Sequence, residues 1–370
     1  MLYLHIPYCH HKCTYCGFYS VARRQQLDTY VDALCAELAL RSSDKPLKTI
    51  YFGGGTPSLL SFGQLQRIIA TISTHYNISQ LEEVTLEANP ENMTDSYLAA
   101  LKSLNFVNRL SIGIQSFSDK ELKLLNRVHD GVQAEEAVRR AAAAGFSNIS
   151  VDLIMGLPGQ QLADWQHNLD RLASLLPLDA VQHLSCYELT VESGTMLERQ
   201  LQSGRLTPCD EEVVAAQYET LMQWCEAHGF EHYEVSNFCR HGHHSRHNSR
   251  YWNRTPYIGV GASAHSFDGT KRRWNVSDVD AYIAGTLRGE TPFEEETLTA
   301  DDAYNEYVMT ALRTAEGIDK TMISSERRSH LSEKIAPHVA HGLVVESATH
   351  YRPTAKGMLM ADGIAASLFV

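Results

Sequence analysis

The stretch YLHIPYCHHKCTYCGFYS, residues 3–20, begins with strand-forming residues and then sets Cys9, Cys13 and Cys16 at the spacing C-x3-C-x2-C. Four thiolates close a tetrahedral zinc or a cubane cluster, whereas three leave one metal corner for another ligand. A [4Fe–4S] cluster held this way exposes one iron. The spacing keeps all three sulfurs on one tight loop. That loop follows the first strand, at the rim where barrel enzymes build their sites. Two other readings stay open from the residues alone: a zinc site completed by His10 or His11, and three unrelated thiols. The loop aromatics Tyr8, Tyr15, Phe18 and Tyr19 favour a dry pocket around a cluster.

Outward from the loop, strand-like and helical stretches alternate. Apolar or β-branched runs fall near 2–6, 48–53, 82–88, 108–114, 148–155 and 179–187. Helical patterns separate them at about 26–41, 62–75, 95–104, 131–144 and 162–175, with a longer one at 210–228. Alternation of this kind predicts an α/β fold, a parallel sheet with right-handed crossovers. Six units predict a partial (β/α)6-type barrel over residues 1–285, with a complete eight-unit barrel as the alternative. From about residue 290 the pattern changes, and residues 286–370 read as a small, mostly helical C-terminal domain, a hairpin plus helices.

Composition bounds the function. The 370 residues carry 32 Lys and Arg against 44 Asp and Glu, a net charge of −12. That balance speaks against general nucleic-acid binding, which needs cations to neutralise phosphates. No apolar run is long enough to span a bilayer, and no leader pattern opens the chain, which predicts a cytoplasmic protein. Eight cysteines in such a chain read as reduced thiols, with Cys35, Cys186 and Cys225 in apolar surroundings as packing residues.

Residues 3–18 resemble the radical S-adenosylmethionine (SAM) superfamily, and within it the oxygen-independent coproporphyrinogen III oxidases and their HemW relatives. The likeness runs from Tyr3 to about residue 285, with a weaker echo in the tail. It implies that Cys9, Cys13 and Cys16 hold a [4Fe–4S] cluster. SAM then chelates the fourth iron and is cleaved on reduction to a 5′-deoxyadenosyl radical. It places further SAM contacts at Tyr3 and at successive strand ends. Gly54, Gly55 and Thr56 of YFGGGTPS meet the methionyl group, since glycines let backbone amides approach a ligand closely; a plain tight turn is the alternative. Glu87 of VTLEANPEN is a carboxylate for the ribose or amine. Gln115 of IGIQSF and Arg127 of LLNRVH follow, though Arg127 alone reads equally as a surface residue. Asp152 of SVDLIMGLPG is an acid inside an apolar strand, and burial requires it to have a partner. Tyr187 and Thr190, then Gly261, Ala262 and His265 of YIGVGASAHSF, complete the adenine-side wall.

Two departures separate this chain from the oxidases it resembles. They carry a fourth cysteine two residues after the third, where Phe18 stands here, and a long segment before the cluster loop, which this sequence lacks. The HemW group instead carries HNxxYW, present as His247-Asn-Ser-Arg-Tyr-Trp252. The resemblance therefore implies a heme chaperone that passes heme to an apoprotein, with a tetrapyrrole-directed radical SAM enzyme as the alternative. Turnover of SAM and contact with a membrane-bound client are left open. An imidazole can ligate heme iron and flat aromatics can cover the macrocycle, so His247, Tyr251 and Trp252 are the expected heme contacts. The segment also holds Cys239, His241, His243 and His244. A Cys/His zinc or iron site, or a plain solvated loop, are the competing readings.

Overall fold

The computed structural model describes residues 1–23 and 25–370. Six strands alternate with helices: β1 (Leu2–Ile6), α1 (Leu27–Leu40), β2 (Thr49–Gly54), α2 (Phe62–His75), β3 (Glu83–Ala88), α3 (Asp95–Ser103), β4 (Arg109–Gln115), α4 (Asp119–Leu124), α5 (Gly131–Ala143), β5 (Ile149–Met155), α6 (Leu162–Ala173) and β6 (Val181–Glu188). β1 to β6 pair in chain order and in parallel, the arrangement of a partial (β/α)6 barrel. Their near-continuous apolar runs reflect burial on both faces, as parallel sheets under helices require. Capping boxes at Ser61–Gln64 and Asp130–Gln133 start α2 and α5.

The chain continues through α7 (Met196–Gln202), α8 (Glu211–Ala227), β7 (Glu231–Glu234), β8 (Asn237–Cys239), α9 (Arg246–Trp252) and β9 (Ile258–Val260). These short pieces finish the sheet: β8 runs antiparallel on β6, β7 pairs outside it, and β9 lies parallel on the far side of β1. A second sheet combines β10 (His265–Phe267) and β11 (Lys271–Asn275) with β12 (Phe293–Thr297), and α10 (Val279–Thr286) lies between the last two in sequence. Fully buried Glu37 of α1 joins these parts, accepting hydrogen bonds from Gly261 N–H, Asn275 Nδ2 and Tyr282 OH.

The C-terminal part contains α11 (Ala300–Leu312), β13 (Ile318–Asp319), α12 (Ser325–Ala340), β14 (Val344–Glu346), β15 (His350–Pro353), α13 (Ala355–Leu359) and α14 (Ala361–Leu368). It has its own apolar core, including Val308, Leu312, Ile335 and Leu368. Backbone bonds from Val235 N–H to Arg313 and from Ala315 N–H to Tyr233 tie it to β7. No helix among the described residues is long and apolar enough to cross a membrane.

Candidate functional site

The C-terminal ends of β1 to β6 open into a cavity of about 620 Å³. Cys9, Cys13 and Cys16 line it, on a loop pinned at several points. Cys9 N–H donates to Val21 O at 3.1 Å and Val21 N–H to Pro7 O at 2.7 Å, closing the base of the loop. Thr14 donates through N–H and Oγ1 to Leu125 O and Leu124 O, and Asn126 Nδ2 reaches Lys12 O at 2.9 Å. These bonds pin the backbone of the loop on both sides of the thiols. Thr56 Oγ1 points at Cys9 Sγ and Arg127 Nη1 at Cys13 Sγ, each at 3.5 Å. Burial pushes the Cys9 and Cys16 thiols up.

The strand ends supply the other walls. Gly54 has φ +109°, and a Cβ there would meet the His5 ring. A Cβ on Gly55 would stand 2.8 Å from Tyr8 O and 2.9 Å from Ile6 O, so only glycine fits against the start of the cysteine loop. Glu87 accepts from Tyr51 OH at 2.7 Å and from Gly54 N–H at 3.1 Å. Burial, with Asp152 opposite, raises its carboxyl to about 7. Asp152 is raised to about 6 by burial, and Ser111 and Ser150 donate to it at 3.1–3.2 Å. Gln115 ends β4 with φ +69°, a left-handed backbone unusual for a residue with a side chain, at the point where β4 and β5 shift register. Arg127 Nη2 donates to Asn89 Oδ1 at 2.8 Å and to Gly113 O at 2.7 Å. Desolvation works against its charge, but Tyr15, Cys13 and Glu91 leave its pKa raised. Tyr187 and Thr190 stand exposed at the far wall.

The structure thus brings the three cysteines, Gly54, Gly55, Thr56, Glu87, Gln115, Arg127, Asp152, Tyr187 and Thr190 to one cavity. It does not bring the remaining sequence-predicted residues there. Tyr3 lies deeper in the barrel, its OH 2.9 Å from His5 Nδ1 and its ring against Tyr51. Gly261 (φ +106°) and Ala262 are buried against α1, their N–H groups donating to Glu37 and Tyr30. The turn through Ser263 (φ +65°) then carries the chain into β10, where His265 stacks on Trp274 away from the cavity.

His247 departs furthest from expectation. It is fully buried at the opposite, N-terminal end of the strands. Its Nδ1 lies 2.9 Å from Thr49 Oγ1 and its Nε2 3.0 Å from Tyr251 OH. Both ring nitrogens are used within the protein, so the imidazole presents no free atom to heme iron. The α9 backbone is anchored too: Arg246 and His247 N–H groups donate to the buried carboxylate of Glu83, each at 2.9 Å. Tyr251 packs edge-on to His247 and Tyr257. Trp252 lies under the Arg313 guanidinium, 5.2 Å away, toward the C-terminal part. The HNxxYW segment is the floor of the barrel.

Sequence reading missed Asn89, which braces the cavity by donating to Thr56 Oγ1 at 3.3 Å while accepting from Arg127. Its position in ANPEN, directly after the strand carrying Glu87, was the available signal. Ser111 and Ser150 gave none, since a serine within a strand is commonplace.

The residues present fit an iron–sulfur cluster with SAM: three thiols on one loop leave one cluster corner unfilled, beside a glycine turn and two partly buried carboxylates. Comparison with known proteins agrees. Residues 3–172 match the radical SAM superfamily and residues 298–360 the HemN C-terminal domain. A protein named heme chaperone HemW from Bacillus subtilis (strain 168) is 36% identical over 354 residues, covering 94% of this chain and 92% of its own. Another of that name from Mycobacterium tuberculosis (strain ATCC 25618 / H37Rv) is 34% identical over 377 residues, covering 99% and 94%. The structure of the coproporphyrinogen III oxidase HemN of Escherichia coli superposes with a TM-score of 0.86 at 23% identity, over 100% of this chain and 89% of that one, which establishes the common fold. Radical SAM membership implies a [4Fe–4S] cluster and SAM. The chain belongs to the HemW family of the radical SAM superfamily.

Proposed function

We propose that this protein binds heme at the mouth of the strand-end cavity and passes it to an apoprotein in the cytoplasm, with Cys9, Cys13 and Cys16 holding a [4Fe–4S] cluster and the strand-end residues holding SAM. The observation that carries this reading is the cavity mouth. Phe18 lines it and is 70% exposed, where the related oxidases have a fourth thiol; Val128 and Tyr187 are also exposed there, 49% and 41%. Exposed apolar and aromatic side chains gathered at one opening suit a flat apolar ligand. The full-length likeness to proteins named heme chaperones supports the same cargo.

Each group has a role the chain can perform. The pinned loop holds three thiolates in place. Gly54 and Gly55 let the backbone approach a methionyl group, while Glu87 and Asp152 accept hydrogen bonds from polar SAM groups. Arg127 keeps a positive charge beside Cys13. Held by Cys9, Cys13 and Cys16 and reduced by an external donor, a cluster would supply the electron for cleaving SAM; the residues here would hold and orient the two groups. The barrel floor, including His247, serves as support.

Hemin titration of the cluster-loaded protein, with and without SAM, tests the proposal. Saturable binding with a shifted Soret band is expected, weakened by Phe18→Ser. Absence of saturable binding sinks the heme reading. Conversion of coproporphyrinogen III to protoporphyrinogen IX would place the protein with the oxidases instead.

A further inference from the structure

A second set of donor atoms lies outside the cavity, on the β7–β8 hairpin. Glu231 of β7 stands opposite Cys239 of β8 in register, and His244 returns over the hairpin from the segment leading into α9. Gly242, at φ +79°, takes the left-handed turn that reverses this segment. One ligand atom from each of Glu231, Cys239 and His244 lies within 4.8 Å of the other two, a grouping not found at any other trio among the described residues. His244 Nε2 is 2.9 Å and Cys239 Sγ 3.5 Å from Glu231 Oε1. A fourth donor, His241 Nδ1, is 3.9 Å from Glu231 Oε2.

The set is built from behind. The Tyr233 ring stacks on the His244 imidazole with centroids 4.3 Å apart and planes 9° from parallel. Tyr233 OH is itself held by His183 Nε2 at 2.7 Å and by Ser245 N–H at 3.2 Å. Cys239 is fully buried, while Glu231 and His244 are exposed, so an ion would rest on the thiol and remain reachable from solvent.

We infer that Glu231, Cys239 and His244 form a Zn²⁺ site, with His241 or water in the fourth position. One sulfur, one imidazole nitrogen and one carboxylate oxygen are the donor types that borderline-soft, tetrahedral Zn²⁺ takes, with bonds of about 2.0–2.3 Å. Bonds of that length set tetrahedral donors roughly 3.3–3.8 Å apart; Glu231 Oε1 is 2.9 Å from His244 Nε2 and 3.5 Å from Cys239 Sγ, and with all three atoms within 4.8 Å an ion needs only small side-chain shifts to fit. On binding, the metal replaces the thiol proton, which leaves to solvent, and no electron is transferred. The ion would clamp segment 240–245 to the hairpin. That segment enters α9, and the hairpin carries the backbone contacts to the C-terminal part. The site thus fixes both the barrel floor and the appended domain, independently of what the cavity carries.

The test uses full-length protein with its [4Fe–4S] cluster loaded anaerobically, so that the loop thiols are occupied. Dialysis against Zn²⁺ followed by metal analysis should find one further ion per chain. Co²⁺ in its place should show a thiolate-to-cobalt charge-transfer band. His244→Ala changes an exposed side chain, and Cys239→Ser nearly preserves volume; each should lose the extra ion and the band, with iron content unchanged as the measure of intact fold. His243→Ala, whose ring has no place in the trio, should keep both. No zinc beyond the cluster-loaded background, or zinc retained in both His244→Ala and Cys239→Ser, overturns the site.

Discussion

Replacing His247 by alanine should damage the fold and leave the spectrum of bound heme in place. The imidazole is fully buried and bridges two hydroxyls, Thr49 Oγ1 at 2.9 Å and Tyr251 OH at 3.0 Å, while its ring lies 5.1 Å from the rings of Tyr51 and Tyr251. Alanine keeps the N–H bond to Glu83 and the helix. It removes a buried ring and strands two hydroxyls, each worth about 1–3 kcal/mol when left unpartnered. Thr49 is fully buried and bears the full penalty, while half-buried Tyr251 recovers part of its bond from water. With the cavity added, the loss should reach about 3–5 kcal/mol, the range of large-to-small core substitutions.

Urea unfolding followed by far-UV circular dichroism measures this as a lowered midpoint at unchanged slope. Tyr251→Phe keeps the packing and removes one bond, and should cost about 1 kcal/mol. The hemin titration is run on the same variants. A stability within about 1 kcal/mol of the parent, together with a moved Soret band, would refute the reasoning, because the imidazole would then be a heme ligand and not the floor. The acid limb gives a second check. Burial lowers the His247 pKa to about 3. The folded state therefore favours the neutral ring; that contribution is complete above the unfolded value of about 6.5 and is lost as pH falls toward 3. The alanine variant should show a shallower loss of stability across that window.

Glu87 has the opposite sign: its carboxyl is raised from 4.5 to about 7, so its charged form opposes folding, with the cost growing as pH rises from 4.5 and complete above 7. Glu87→Gln should be the more stable protein at pH 8, by at most about 3 kcal/mol, and the advantage should vanish near pH 4 in chemical denaturation. Alanine at Cys9, Cys13 or Cys16 should abolish the reconstituted cluster of about four irons and four sulfides, whereas Cys35→Ala should retain it by iron and sulfide analysis. Gly55→Ala drives a Cβ into the backbone of Ile6 and Tyr8, so SAM binding measured by calorimetry on the cluster-loaded protein should fall by roughly tenfold or more.

The barrel was legible because its strands are buried on both faces. Runs read near 48–53, 82–88 and 108–114 appear as Thr49–Gly54, Glu83–Ala88 and Arg109–Gln115. Residues at strand ends, such as Gly54 and Glu87, could be assigned to one rim because parallel strands all end on the same side. The sheet edges were not legible. β7, β8 and β9 have three or four residues, and EHYE carries no apolar run; such strands exist through their partners. Tyr3 pairs in register with Tyr51, which pairs with Thr85, two residues before Glu87, and this register sets it one layer below the cavity. His265 follows a reversal made by Gly261 and Ser263, both left-handed, and periodicity says nothing of where a chain goes after such a turn. For His247, the HNxxYW motif of the HemW group pointed to an iron ligand. The structure instead buries it, against Thr49 and Glu83 from distant strands, which no reading of the local segment shows.

The floor and the cavity are nonetheless one construction. Tyr51 stands between them, its ring against His247 and its hydroxyl on Glu87, which in turn holds the Gly54 N–H of the glycine turn. A side chain on α9 therefore bears on the residue that orients a cavity-facing carboxylate, through direct contacts. The HNxxYW segment can matter to what happens at the cavity while lying at the other end of the strands. Its route to the cavity is the Tyr51 ring. Loss of His247 should then disturb the Glu87–Gly54 wall along with stability, whereas an exposed neighbour such as His241 has no such route.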